Sequence, residues 1–401
     1  MYLKLTRLLI GPALLSCVFM EAQERVVDPS TLRIMPDFRV KHPLPNLAMV
    51  PQFATTPTAN LPVWKYSMVS PRDGNTYSGS IVGGNPFNRG ARTTNVPVVL
   101  IPLRVEFTGD IRNFDPTSPD AGCLGSGNTA MSLTQQSPIF QPYNAVINGV
   151  NMGNVTFPDA FQRASFWPSV STAAPAYHLG LPITVAPKQT VSLVNGGPYG
   201  GTAAIGYGCS SNIPPQDNPP SLGMVDIDYL DAQLNNIIAN LGLNATQFPL
   251  FILYGVVMTQ SGGNCCILGY HNGSGNNALP GQTYAISGYD RGYPFSGVKD
   301  ISILSHEIME WIDDPHLANV VPAWGRIGQV GGCQNILETG DPLSGTLVPG
   351  VTMPNGVTYS IQEQAFFSWF LGGPYAGAGG KYSSNGTFSG FAKLCPPGGT
   401  N

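Results

Sequence analysis

Residues 296–315 read SGVKDISILSHEIMEWIDDP. Ile301, Leu304, Ile308 and Ile312 recur at three- and four-residue spacing, the period of one buried helix face. Asp300 stands where an N-cap belongs, and Pro315 ends the run because proline cannot continue a helix. The pattern therefore predicts a helix between them. Residues four apart stack one turn above another, so His306 and Glu310 can reach the same small volume, with Glu307 projecting beside it.

Working outward, DIDYLDAQLNNIIANLGL at 226–243 predicts a second helix, with Leu230, Leu234, Ile237, Ile238 and Leu241 in register and Gly242 as its C-cap. FPLFILYGVVM at 248–258 is an apolar run of strand length, and two shorter strands are expected at 266–270 and 283–289. Upstream, VPVVLIPLRVEF at 96–107 is a β-branched strand, placed at a sheet edge by Pro97 and Pro102. Short strands at 145–147 and 181–185 alternate with Gly/Pro turns, which makes the first half β-rich and loop-rich. Residues 25–95 show little periodicity and read as an extended arm or pro-segment. The expected division is a signal at 1–22, the arm at 23–95, a β-rich region at 96–225, the helix–strand–helix region at 226–345 and an aromatic-rich close at 346–401. The fold class is α+β.

Charged residues make up 10% of the 401, and the formal charge is −4. No basic stripe is available for phosphate neutralisation, so nucleic acid is not an expected partner. Lys4 and Arg7 precede an apolar run from Leu8 to Met20, the layout of a secretory signal, and no later run is long enough to span a bilayer. Leu15-Ser16-Cys17 offers a lesser alternative, a lipid anchor at Cys17. Without Cys17, six cysteines remain, and an even number in an exported chain favours three disulfides. Adjacent Cys265 and Cys266 are expected to bond to different partners.

The pattern H-E-x-x-H on a helix binds Zn²⁺ through its two histidines and uses the intervening glutamate as general base. Here Glu310 replaces the second histidine, and a carboxylate oxygen also ligates zinc. Two residues compete for the third ligand position. His316 lies ten residues after His306, beyond a proline. Glu338, in ILETGDP, arrives from a downstream segment and is the preferred ligand, with Asp341 free to accept a hydrogen bond from the other His306 nitrogen or to ligate in its place. Ligands His306, Glu310 and Glu338 carry a charge of −2, which leaves the ion less positive than two histidines and one glutamate would; oxygen-rich ligands also suit Mn²⁺ or Ca²⁺. His271, in CCILGYH, is a candidate for substrate binding. An ordinary helix with one solvated acidic face is the alternative reading of Glu307, Glu310, Asp313 and Asp314. Trp311, Trp324 and Trp369 read as packing residues.

Residues 226–345, with their order of helix, strands and motif helix, resemble a zincin metallopeptidase core. CCILGYH, SHEIMEWIDDP, ETGD and QEQAFFSWF with NGTFSG resemble exported bacterial proteins carrying H-E-x-x-E, distantly similar to plant phosphate-induced, EXORDIUM-like secreted proteins. The resemblance implies a zincin-like core of backing helix, mixed sheet and active-site helix. It also implies a secreted or periplasmic, monomeric, Zn²⁺-dependent peptidase acting on peptides or proteins, with Glu307 as base. The alternative is an inactive secreted surface or matrix protein whose site holds a structural ion or none.

Overall fold

The apolar run at 248–258 does not stay in one sheet. In the computed structural model, which describes residues 25–26, 60–110, 114–204, 221–260, 264–275, 280–290, 295 and 297–395, Gly255 at φ 69° breaks it in two. Along the chain we number β1 (Arg25–Val26), β2 (Val63–Val69), β3 (Thr76–Val82), β4 (Val98–Thr108), α1 (Phe157–Ser165), β5 (Ile183–Val185), β6 (Gln189–Val194), β7 (Gly200–Ala204), β8 (Ser221–Asp226) and α2 (Ile227–Asn240). There follow β9 (Phe248–Tyr254), β10 (Val256–Gln260), β11 (Asn264–Ile267), β12 (Gly269–Gly275), β13 (Pro280–Tyr289), α3 (Ser302–Asp313), β14 (Val320–Ile327), β15 (Val330–Ile336) and α4 (Phe367–Leu371).

The central sheet runs β6-β4-β9-β13-β12, with β5 pairing the start of β4. Its pairs are parallel except the last, where β12 lies antiparallel to β13 and forms the edge. A second sheet, β1-β7-β8-β10-β11, takes the other half of the broken run. The architecture is α+β, as the sequence pattern predicts.

Both faces of the central sheet are covered. Val99, Ile101, Phe251, Leu253 and Ile286 pack with Leu230, Leu234 and Ile238 of α2. Val98, Leu100, Phe248, Leu250, Ile252 and Ala285 join Leu304, Ile308, Trp311 and Ile312 of α3 in the larger cluster on the opposite side. That is why FPLFILY is uninterruptedly apolar: a parallel strand buried on both faces has no solvent side to alternate with. Trp311 stacks on Phe248 at 3.6 Å between ring centroids and donates from its indole nitrogen to Thr283 Oγ1 at 3.0 Å. Trp311, Trp324 and Trp369 are all buried packing residues.

Several expectations are corrected. The strand at 96–107 is central, not an edge. Val98 N donates to Pro182 O, and Ala186 N donates to Leu100 O, so even-numbered residues of β4 face β5 and then β6. Pro102 falls between Leu100, the last partner of β5, and Leu103, the first partner of β6. Its missing N–H faces a gap between two neighbours, which lets a proline occupy an inner strand. Within the expected arm, β2 and β3 form a hairpin whose Trp64, Tyr66 and Ile81 enter the large core cluster. The inward alternation of Trp64 and Tyr66 was masked by the Pro- and Gly-rich sequence around it. Cys265 and Cys266 bond to each other across a cis peptide that draws their Cα atoms to 3.0 Å, and Cys333 bonds to Cys395. Asp300 does not cap α3 through its side chain in the usual way. The N-cap residue is Ile301, and Asp300 Oδ1 accepts from Ile301 N at 2.6 Å and Ser360 N at 2.7 Å. The expected signal at 1–22, with Cys17, lies outside the described residues, as does Cys209. Among the described residues no helix is long and apolar enough to cross a membrane.

The hairpin also fixes the far end of α3. Asn319, fully buried, accepts from Ser80 N at 3.0 Å and donates through Nδ2 to Ser80 O at 2.7 Å and Asp313 O at 2.6 Å. Asn319→Ala leaves those three backbone groups without these partners, at about 1 kcal/mol each. A loss of about 3 kcal/mol in unfolding free energy is expected by denaturant titration.

Candidate metal centre

Helix α3 is buried along its whole length, acids included. Glu307, Glu310, Asp313 and Asp314 have exposures of 6% or less, so the solvated acidic face does not exist. Their surroundings explain how the helix tolerates them. Asp313 turns toward α1 and accepts from Gln162 Nε2 at 2.5 Å. Asp314 closes the helix end by accepting from Ala318 N at 2.9 Å and Asn319 N at 3.1 Å. Burial pushes both carboxyls up to about 7.

Glu307 and Glu310 turn the other way. Glu310 Oε1 accepts from two backbone amides of the downstream segment, Gly340 N at 3.0 Å and Asp341 N at 3.2 Å. Its Oε2 lies 3.0 Å from His306 Nε2 and 3.8 Å from His271 Nδ1. Asp341 Oδ1 stands 3.5 Å from the same His306 nitrogen, and Glu307 Oε2 stands 3.8 Å from His271 Nδ1. Two three-residue groups result, His306–Glu310–Asp341 and His271–Glu307–Glu310, each with its ligand atoms within 4.8 Å of one another.

Strand β12 brings His271 in through its own alternation. Tyr270 faces α2, where its hydroxyl donates to Asp231 at 2.7 Å, so Gly269, His271 and Gly273 face α3. A Cβ on Gly269 would lie 2.8 Å from Ile303 Cγ2 and 2.9 Å from Glu307 Oε1, and one on Gly273 would lie 3.0 Å from Pro315 O. The glycines allow edge strand and helix to approach closely enough for the imidazole to reach the carboxylates.

Burial by itself would lower the pKa of both histidines, but the carboxylates outweigh it. His306 is raised well above its ordinary value by Glu310, Asp341 and Glu307, and His271 is raised by Glu307 and Glu310. Burial would raise Glu310, yet His306 and His271 hold it below the usual glutamate range. Burial pushes Glu307 up, and pushes Asp341 up to about 6 with Glu310 adding to the effect. Among the described residues no Lys or Arg pairs with any of these acids, so the positive charge within reach is imidazolium or a cation.

Of the expected ligands, His306 and Glu310 come together and Asp341 joins them. Glu338 is buried among the same acids, with its pKa raised well above the ordinary value by burial, Glu310 and Asp341, but it belongs to neither group. His316 is buried with neither ring nitrogen hydrogen-bonded, is pushed down to about 4 by burial, and also stands outside both groups. The hydrogen-bonding role expected of Asp341 falls to Gln362. Asp341 sits on the Nε2 side of His306, whereas Gln362 Nε2 lies 2.8 Å from Nδ1 and also donates to Gly340 O at 2.8 Å. With Gln362 Nε2 donating to Gly340 O, its second hydrogen points at Nδ1, which puts the His306 proton on Nε2 facing Glu310; an ion at Nε2 would have to displace that proton. The donor set of imidazole and carboxylate, without competing cations, fits a divalent ion. Sequence reasoning missed Gln362 and Gly340, since neither has a ligand's chemistry; the G in ETGD was the only local signal.

Gly340 has φ −83° and ψ −34°, a conformation alanine adopts freely, but its Cβ would lie 2.5 Å from His306 Nδ1. Gly340→Ala is therefore expected to displace the ring while the chain stays folded, weakening Zn²⁺ binding 10- to 100-fold in competition with a chromophoric chelator. Compared with protein-family models, with curated proteins and with solved structures, the chain matches none, so the likeness to zincins and EXORDIUM-like proteins rests on motif residues alone.

Proposed function

We propose that the protein is an exported metal-dependent hydrolase acting on peptide bonds. The single observation that carries this reading is the convergence of His306 Nε2, Glu310 Oε2 and Asp341 Oδ1 in a buried site where, among the described residues, no Lys or Arg pairs with the acids. His306, Glu310 and Asp341 hold the ion. When bound, it supplies Lewis-acid polarisation of a carbonyl and a lowered pKa for water. Two carboxylates and one imidazole neutralise more of its charge than two imidazoles and one carboxylate would, so the acidity gained by water is smaller and a strong neighbouring base matters more.

Glu307 is placed for that task. Burial raises its pKa above the ordinary glutamate value, which makes the carboxylate a stronger proton acceptor. His271 Nδ1, 3.8 Å from Glu307, lies where an imidazolium would stabilise a developing negative charge. Gln362 orients His306, and the Gly340 and Asp341 amides orient Glu310. The cystines Cys265–Cys266 and Cys333–Cys395 support an oxidising, extracytoplasmic location.

Purified protein is expected to contain a divalent metal by elemental analysis and to cleave a denatured protein. Glu307→Gln should retain the ion held by His306, Glu310 and Asp341 while losing 10²- to 10⁴-fold in cleavage rate. Wild-type protein that keeps its metal but cleaves nothing across pH and peptide sequence would establish an inert binding protein instead. The third ligand is tested separately: Asp341→Asn should weaken metal binding at least tenfold and Glu338→Ala should not, and the reverse result assigns the ligand to Glu338.

A further inference from the structure

We propose that the centre takes two divalent cations, with Glu310 shared between them. The first sits among His306, Glu310 and Asp341, and the second among His271, Glu307 and Glu310. This rests on the hydrolase reading for its first ion and adds the second.

The geometry supplies two complete donor sets around one carboxylate oxygen. Glu310 Oε2 faces His306 Nε2 at 3.0 Å and His271 Nδ1 at 3.8 Å, and each histidine has a further carboxylate of its own, Asp341 for His306 and Glu307 for His271. Because Oε1 is occupied by the Gly340 and Asp341 amides, Glu310 cannot swing to serve one side only. Shared carboxylates at this kind of position are how two-metal hydrolytic centres hold ions about 3.5–4 Å apart.

Among the described residues, His271 and Glu338 each leave a buried polar atom without a partner. His271 is 3% exposed, its Nδ1 stands 3.8 Å from both glutamates, too far for a hydrogen bond, and its Nε2 has no partner. Glu338 is 3% exposed, its Oε2 has no partner, and Glu310, Asp341, Asp314 and Glu307 are the charges that act on it. The atom a second ion would satisfy is His271 Nδ1, buried between two carboxylates and beyond hydrogen-bond distance of both; His271 Nε2 and Glu338 Oε2 lie outside both donor sets. Charge leads the same way. Glu307, Glu310, Glu338 and Asp341 bring four carboxyl groups into one buried volume. In the two-ion arrangement Glu307 would ligate through the oxygen facing His271, so its role as base belongs to the single-ion reading.

The test is metal stoichiometry on the full chain, stripped with chelator and then dialysed to equilibrium against Zn²⁺, with a parallel Mn²⁺ sample for electron paramagnetic resonance. Two ions per chain and an exchange-coupled Mn²⁺ spectrum are expected for the wild type. His271→Ala should hold one ion and give an uncoupled spectrum. Glu310→Gln should weaken both sites at least tenfold. One ion in the wild type, unchanged in His271→Ala, overturns the second site and leaves the single-ion hydrolase standing. Two ions that both persist in His271→Ala overturn the assignment of residues. No bound ion in the wild type removes both readings, and because the wild-type measurement needs no variant, misfolding of His271→Ala cannot shield the proposal.

Discussion

Glu310 is the residue on which the site's geometry turns. A carboxylate has two oxygens and about four acceptor positions, and this one divides them. One oxygen receives the amides of Gly340 and Asp341, which tie α3 to the segment that follows β15; the other stands between two imidazoles. A histidine at the same position could not do both. A neutral imidazole accepts through a single nitrogen, so it could take a backbone amide or face the cluster, but not two amides and the cluster together. The departure from H-E-x-x-H follows from this double duty. It puts at this position a side chain that the backbone itself orients.

The sheet makes its own contribution through what it omits. On the side of β12 that faces α3, glycines flank His271, and the added Cβ atoms would meet Ile303, Glu307 and the Pro315 carbonyl. Edge strand and helix thus approach to a distance that side chains would forbid, with one imidazole between them. The opposite face of the same strand carries Tyr270, bonded to Asp231 of α2 together with Tyr284. One strand therefore anchors α2 by a tyrosine hydroxyl and supplies α3 with a histidine. Period-two alternation is enough to separate the two roles.

How much of this was legible depended on whether a signal was local. The two helices and the apolar strand followed from periodicity, and His306 with Glu310 followed from four-residue spacing, because both are properties of a single element. The edge assignment of β4 failed since proline reports only that one N–H is missing, and the gap between β5 and β6 that excuses Pro102 is a feature of two other strands. The β2–β3 hairpin escaped notice for a related reason: Trp64 and Tyr66 are inward only because α3 and α4 lie beside them. Asp341 against Glu338 could not be settled by counting, because both lie in one short turn and its backbone decides which carboxylate faces His306. Gln362 comes from a segment 56 residues after its partner and carries no ligand chemistry, so nothing in the chain marks it.

Buried acids elsewhere in the molecule show what a purely structural carboxylate looks like here. Glu363 accepts from Ser383 Oγ and Thr387 Oγ1 at 2.6 Å and from the Asn385 and Thr387 amides at 3.1 Å, holding the loop that follows α4. Asp231 receives two tyrosine hydroxyls, and Asp159 receives the Leu179 amide and stands 2.7 Å from His178 Nδ1. In each the desolvated charge is compensated by donors on every side, as a carboxylate retained for stability must be. Glu307 and Glu338 are not built that way. The first faces an imidazole 3.8 Å off and the second ends in an oxygen without a donor, with acids beside both. A fold that satisfies Glu363 four times over has the means to satisfy Glu338. Its open oxygen, like that of Asp313, is left unpaired by the described donors, and Glu338 stands beside the two donor groups without belonging to either, so the geometric case for an ion rests on the imidazoles and on Glu307, Glu310 and Asp341.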